Sequence, residues 1–169
     1  MAKATNCLIC ANHISANDPP FIGTIIPFKV NFLAKIELFR NPLMAKILWK
    51  VKAIPIRRGR IDRRALQEVE KRLAQGESIV IFPEGTRKSN KVKAGTGKFA
   101  LEMKKDILPI YIENSNDVLG CIFGKKNLRI TVGDFIKSES FQDMEATKEN
   151  YQLLADEVMK KINELKDRN

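Results

Sequence analysis

Apolar positions along this chain fall into short continuous runs that alternate with longer stripes. The run Cys7-Leu8-Ile9-Cys10-Ala11 has no polar interruption, so residues 6–11 read as a buried strand. Residues 18–26 open on Asp18-Pro19-Pro20, and proline suits a first helical turn, so a short helix is predicted there. A strand over 30–36, a helix over 42–51 and a short strand at Ala53-Ile54-Pro55-Ile56 follow. Pro55 cannot donate to a ladder, which puts that strand at an edge or a strand end. Leu66, Val69 and Leu73 recur at helical spacing and predict a helix over 62–75, with Asp62 able to cap its start and Gly76 its end. Next come a strand over 78–82, a helix over 97–105 and a strand over 107–112. Residues 118–123 and 128–135 read as a further strand pair turning at Gly124-Lys125-Lys126-Asn127. Tyr151, Leu154, Ala155, Val158, Ile162 and Leu165 share one face of a long final helix, the pattern of core packing.

This alternation predicts an α/β fold: a single domain over residues 1–169, with a mixed, largely parallel sheet flanked by helices. Four apolar runs end at once in polar residues: Asn12-His13, Arg57-Arg58, Glu84-Gly85-Thr86-Arg87 and Glu113-Asn114. Sites in open α/β sheets gather beyond the carboxyl ends of the strands. Strands running the same way would therefore bring these clusters to one rim.

Charge narrows the partners. The chain carries a formal net charge of +10. That favours an anionic partner: nucleic acid, a phosphorylated small molecule or an acidic membrane surface. Aromatic residues interleaved with basic ones, as base stacking needs, are sparse, which argues against nucleic acid. No apolar run reaches the ~18 residues of a membrane span, and the N-terminus lacks a secretory pattern. The expected location is the cytoplasm or the cytoplasmic face of the cell membrane. Cys7 and Cys10 form a single Cys-x-x-Cys unit inside a strand-like run, and with Cys121 they read as small buried hydrophobes.

His13, the chain's only histidine, is a candidate general base, and Asp18 could hold one ring nitrogen if the chain turns back between them. One His and one Asp make a poor metal site, so no metal is expected. Arg58 and Arg87 offer guanidinium forks that match phosphate oxygens. Glu84 could accept a ligand hydroxyl or hold one of those arginines, and Gly85 permits close backbone approach. From these residues alone, a structural histidine beside a helix-capping aspartate, and a surface Arg–Glu pair, remain open.

Taken in order, the blocks Asn12-His13-x4-Asp18, Ile54-Pro55-Ile56-Arg57-Arg58, Phe82-Pro83-Glu84-Gly85-Thr86-Arg87 and Leu108-Pro109-Ile110 resemble those of the glycerolipid acyltransferases. The bacterial 1-acylglycerol-3-phosphate (lysophosphatidate) acyltransferases are the most similar group. The resemblance implies that His13, oriented by Asp18, deprotonates the sn-2 hydroxyl of a 1-acylglycerol-3-phosphate. That hydroxyl then attacks the thioester of acyl-CoA or acyl-carrier protein, giving phosphatidate. It also implies glycerol-phosphate binding by Arg58, Glu84, Gly85, Thr86 and Arg87, and an apolar acyl-donor groove at Leu108, Pro109 and Ile110. No cofactor is implied beyond the thioester co-substrate. The implied partners are a lysophospholipid acceptor, an acyl thioester donor and a membrane surface to which the protein is peripheral.

Two apolar segments, 21–28 and the set Phe39, Leu43, Met44, Ile47, Leu48 and Trp49, are candidates for that surface; Arg40, Lys46 and Lys50 interrupt the second. Two departures stand out. The family usually carries membrane-associating helices before its first strand, and here His13 lies almost at the start. Arg57 also replaces an acidic residue common before the motif arginine. Rival readings are a relative acting on glycerol 3-phosphate or another lysophospholipid, and a noncatalytic module binding membrane or acyl-carrier protein.

Overall fold

A computed structural model describes residues 6–57, 62–85 and 92–168. Strands β1 (Leu8–Ala11), β2 (Val30–Lys35), β3 (Ile54–Ile56), β4 (Ser78–Ile81), β5 (Ile107–Glu113) and β6 (Arg129–Val132) form one sheet in the order β3-β2-β4-β1-β5-β6. All neighbours pair in parallel except β6, which runs antiparallel to β5. β1 is central, and its two faces feed two separate cores. Leu8 and Cys10 pack towards α3 (Arg63–Ala74), α4 (Gly95–Met103) and α6 (Lys148–Glu164). Ile9 and Ala11 pack on the other face towards α1 (Asp18–Ile25). This double burial explains why the strand's sequence shows no alternation.

Most predicted elements appear within a residue or two of their expected bounds. β3 lies at the sheet edge, where Pro55 is tolerated. The Asp62 side chain accepts the Ala65 N–H at 3.2 Å and caps α3, which ends before Gly76 with its φ of +78°. Leu154, Ala155, Val158, Ile162 and Leu165 of the final helix are buried as expected. Cys7 and Cys10 are buried within the sheet, and Cys121 is half-buried. Burial pushes the Cys10 thiol far above its ordinary range, so it behaves as an apolar side chain.

One pair of elements differs. Residues 118–123 do not form a strand but a single helical turn, α5 (Val118–Ile122), and β6 pairs with β5 instead. An apolar run of this length fits either structure. Asp117 decides it: its side chain accepts the Gly120 N–H at 2.9 Å and starts a helix. Gly120 is required there, since a Cβ would sit 2.6 Å from that carboxylate.

Helix α4 packs closely on α6, and a Cβ at Gly97 would overlap the carbonyl oxygen of Tyr151. Gly97→Ala is therefore expected to lower the unfolding free energy by about 2 kcal/mol or more, although alanine favours helix. Urea denaturation measures this, and an unchanged midpoint would contradict the close approach.

Candidate active site

Parallel strands deliver Asn12-His13, Arg57, Phe82 to Gly85 and Asn114-Ser115 to one rim of the sheet. At its centre the chain turns back after β1 so that α1 begins beside His13. The Asp18 carboxylate, wholly buried, collects the donors of this turn. Its Oδ2 lies 2.7 Å from His13 Nδ1 and accepts the N–H groups of Ile14 and Ser15, each at 2.8 Å. Its Oδ1 accepts the Ser115 hydroxyl from beyond β5. A carboxylate already accepting backbone N–H groups takes a proton donor from the ring, so Nδ1 carries the hydrogen. The opposite nitrogen, Nε2, then presents a lone pair and takes no hydrogen bond among the described residues. The ring is 15% exposed and stacks on Phe82 at 4.2 Å between centroids, with 23° between planes.

Further bonds hold this arrangement to the sheet. Asn12 and Ile112 exchange two bonds, Asn12 Nδ2 donating to Ile112 O at 2.9 Å and Ile112 N donating to Asn12 Oδ1 at 2.7 Å. They lock the end of β1 to the end of β5. Asn17 Nδ2 donates to Ser115 O at 3.2 Å. On the other side, Glu84 Oε2 accepts the His13 backbone N–H at 2.9 Å, tying β4 to β1. Burial pushes the Glu84 carboxyl above its usual range; the nearby Asp18 charge adds to the rise, and the His13 interactions oppose it. Gly85 closes the turn with its N–H on Phe82 O at 2.9 Å and a φ of +69°, a conformation that favours glycine.

The candidate residues read from sequence fare differently. His13, Asp18, Glu84 and Gly85 come together. Arg58, Thr86 and Arg87 lie outside the described residues, although Arg57 and Gly85, their chain neighbours, are at the rim. Leu108, Pro109 and Ile110 are buried in β5, in register with Ile9, Cys10 and Ala11. Leu108 and Ile110 belong to the core on the Ile9 face of the sheet. The sequence reading missed Ser115 and the backbone role of Glu84. The polar residues after β5 were the only signal for Ser115.

Of the two apolar segments, the first is divided: Ile22 and Ile26 are core residues, whereas Gly23, Thr24, Ile25 and Pro27 are exposed. The second is exposed. Helix α2 (Pro42–Lys50) buries none of its residues, and Leu43 and Trp49 are 71% and 61% exposed. Phe39 and Trp49 pack at 4.9 Å on this surface. No helix among the described residues is long and apolar enough to cross a membrane. Nor does any group of three or more His, Cys, Asp or Glu side chains among them gather as for a metal.

The sequence profile of the acyltransferase family matches residues 1–113, two thirds of the chain and every strand end that forms the rim. The chain belongs to the acyltransferase family. A 1-acyl-sn-glycerol-3-phosphate acyltransferase of Borreliella burgdorferi is 35% identical, over 97% of this chain and 69% of that protein. One from Bacillus subtilis is 27% identical, over 95% of this chain and 81% of its own length. The crystal structure of the acyltransferase PlsC from Thermotoga maritima has the same fold, with a TM-score of 0.61 at 22% identity, over 98% of this chain and 68% of that one. The family and fold implied by the four sequence blocks are thus those of the protein, which is an enzyme of the acyl-transfer type.

Two predictions follow from the clamp. Ser115→Ala removes a donor from a buried carboxylate and is expected to cost about 1–3 kcal/mol of stability in denaturant titration; no change would mean that Oδ1 does not depend on it. The second concerns pH. A folded-state pKa above the unfolded one means that the Glu84 contribution is fully present at low pH and is lost as pH rises through the folded value. Glu84→Gln keeps an acceptor for the His13 N–H but cannot ionise. Its stability relative to the native protein should rise with pH across that window and stay flat above it. A relative stability that falls with pH would contradict the direction of the shift.

Proposed function

We propose that this protein acylates the sn-2 hydroxyl of 1-acylglycerol-3-phosphate, giving phosphatidate. The observation that carries the reading is the His13–Asp18 pair, 2.7 Å apart, at the strand ends of an acyltransferase fold. The Borreliella burgdorferi and Bacillus subtilis relatives, both named 1-acyl-sn-glycerol-3-phosphate acyltransferases, support the same acceptor.

His13 Nε2 takes the proton of the sn-2 hydroxyl as its oxygen attacks the thioester carbonyl. The buried Asp18 carboxylate fixes the ring and offsets the positive charge it acquires. The tetrahedral intermediate collapses with cleavage of the carbon–sulfur bond. The departing sulfur receives the proton that Nε2 carries, so a free thiol leaves and the imidazole is again neutral. Backbone N–H groups at the strand ends are suited to stabilise the oxyanion. These steps use only acceptor, thioester and protein, and call for no metal or organic cofactor.

Arg58, Arg87, Thr86, Gly85 and Glu84 are assigned to the glycerol phosphate, as the motifs imply. Glu84 already holds the His13 backbone, so its influence on acceptor binding is partly indirect. Acyl-CoA and acyl-carrier protein are both thioesters of the required chemistry, and either can serve as donor in this scheme. Leu108, Pro109 and Ile110 shape the strand that leads to Ser115, which makes an indirect role in donor binding more consistent with their burial than direct contact.

An acceptor whose C16 chain gains ~0.8 kcal/mol per methylene on leaving water, roughly 12 kcal/mol in all, resides in a bilayer. The protein is accordingly proposed to work as a peripheral protein at the cytoplasmic face of the cell membrane, with the exposed α2 surface and Arg40, Lys46 and Lys50 against lipid.

With a labelled thioester and 1-acylglycerol-3-phosphate, the native protein should yield phosphatidate, and His13→Ala should lower kcat by about 10²–10⁴-fold with its fold retained. Acyl transfer undiminished in His13→Ala would overturn the assigned base. Transfer to another acceptor alone would overturn the assigned substrate.

A further inference from the structure

A second exposed apolar surface lies on the opposite flank of the rim from α2. Leu119, Ile122 and Phe123 occupy one face of α5 and the residue after it, and are 68%, 70% and 73% exposed. Ile122 also lines a shallow groove of about 250 Å³ between α1 and α5, together with Phe21, Val118, Cys121, Leu128 and Asn114. Single exposed hydrophobes are ordinary, but three on one helical face, one of them lining a groove, mark an interaction surface.

This surface is held firmly. Asp117 accepts the Gly120 N–H at 2.9 Å and pairs with Lys126 at 3.0 Å. The Lys125 and Lys126 N–H groups both donate to Gly120 O, at 2.8 and 3.1 Å. Asn114 Nδ2 donates to Asn127 O at 2.9 Å, closing the base of the loop. These polar bonds turn three large apolar side chains outwards rather than letting them fold onto the sheet.

We propose that α5 and the following turn form a second membrane contact, specific for an anionic lipid surface, so that bilayer touches both flanks of the rim with His13 between them. Sheet order separates the two surfaces. α2 belongs to the segment that leaves the end of β2, on the β3 side, whereas α5 leaves the end of β5, on the β6 side, and β1 lies between. Charge fits the partner. Lys126 neutralises Asp117, Arg129 neutralises Glu113 at 3.1 Å, and Lys125 has no ion-pair partner among the described residues. The local acids therefore present no net repulsion, while the chain's +10 attracts anionic lipid. Ser115, three residues before α5, bonds Asp18, so this contact adjoins the catalytic clamp directly.

The inference rests on the proposed membrane-resident acceptor, but its test reads lipid binding and needs no turnover. Vesicles of equal phosphatidylglycerol and phosphatidylcholine are titrated with the native protein and with Leu119→Ser/Ile122→Ser/Phe123→Ser. The account expects the variant's vesicle affinity to fall by about tenfold or more. Turnover of a short-chain, water-soluble lysophosphatidate should be unchanged. A smaller loss of affinity overturns the proposal, as does a native dimer that the substitution converts to monomer, which would assign the surface to a second copy of the chain. Trp49→Phe/Phe123→Trp provides a check independent of the triple variant. Its fluorescence should be quenched by brominated lipid in the same vesicles, and an unquenched signal with bound protein overturns the contact. Loss of acyl transfer by the native protein alongside intact, α5-dependent binding would instead count against the function proposed above.

Discussion

A buried carboxylate is stable only when its oxygens are matched by donors, and Asp18 is where this protein meets that demand. Two backbone N–H groups, an imidazole N–H and a serine hydroxyl converge on it. Removing one partner leaves part of a buried charge without a donor, which is far costlier than losing an exposed ion pair. The same requirement that shapes the turn after β1 also fixes the histidine's tautomer and direction. Structure and proposed chemistry thus share one interaction.

The donors come from far apart in the chain, and the sheet order makes their meeting possible. β1 lies between β4 and β5, so the loops following all three strands are adjacent. Asn12 clasps Ile112 on one side, and Glu84 holds the His13 backbone on the other. Phe82 supplies a flat wall for the ring. An imidazole supported in this way loses little freedom when it acts, the preorganisation that makes a general base effective. The half-buried Glu84 also brings a carboxyl to the site, where desolvation raises its pKa and the contacts that hold His13 oppose that rise.

Much of this could be read in the sequence. The uninterrupted run before Asn12 announced a buried strand, Pro55 an edge or a strand end, and Asp62 and Gly76 the limits of a helix, because each signal is local. The His13–Asp18 spacing was equally local, since the bond spans five residues. Ser115 was not legible, because its partner lies 97 residues away and nothing near it names the contact. The α5 turn was misread as a strand because an apolar hexamer suits both conformations, and the Asp117 cap outweighed the periodicity. For Leu108, Pro109 and Ile110 the family resemblance implied an acyl-donor groove, and the pairing of β5 with β1 adds that they are buried in the sheet. Arg58, Thr86 and Arg87 lie outside the described residues, so their assignment rests on motif alone.

The chain has a single histidine, so a nitrogen-15 spectrum of labelled protein contains a single imidazole. Recorded at a pH where the ring is neutral, that spectrum tests the central claim most directly. The account predicts a proton fixed on Nδ1 and an unprotonated Nε2, with this preference lost in Asp18→Asn. A proton on Nε2 in the native protein, or a tautomer mixture indifferent to Asp18, would contradict it.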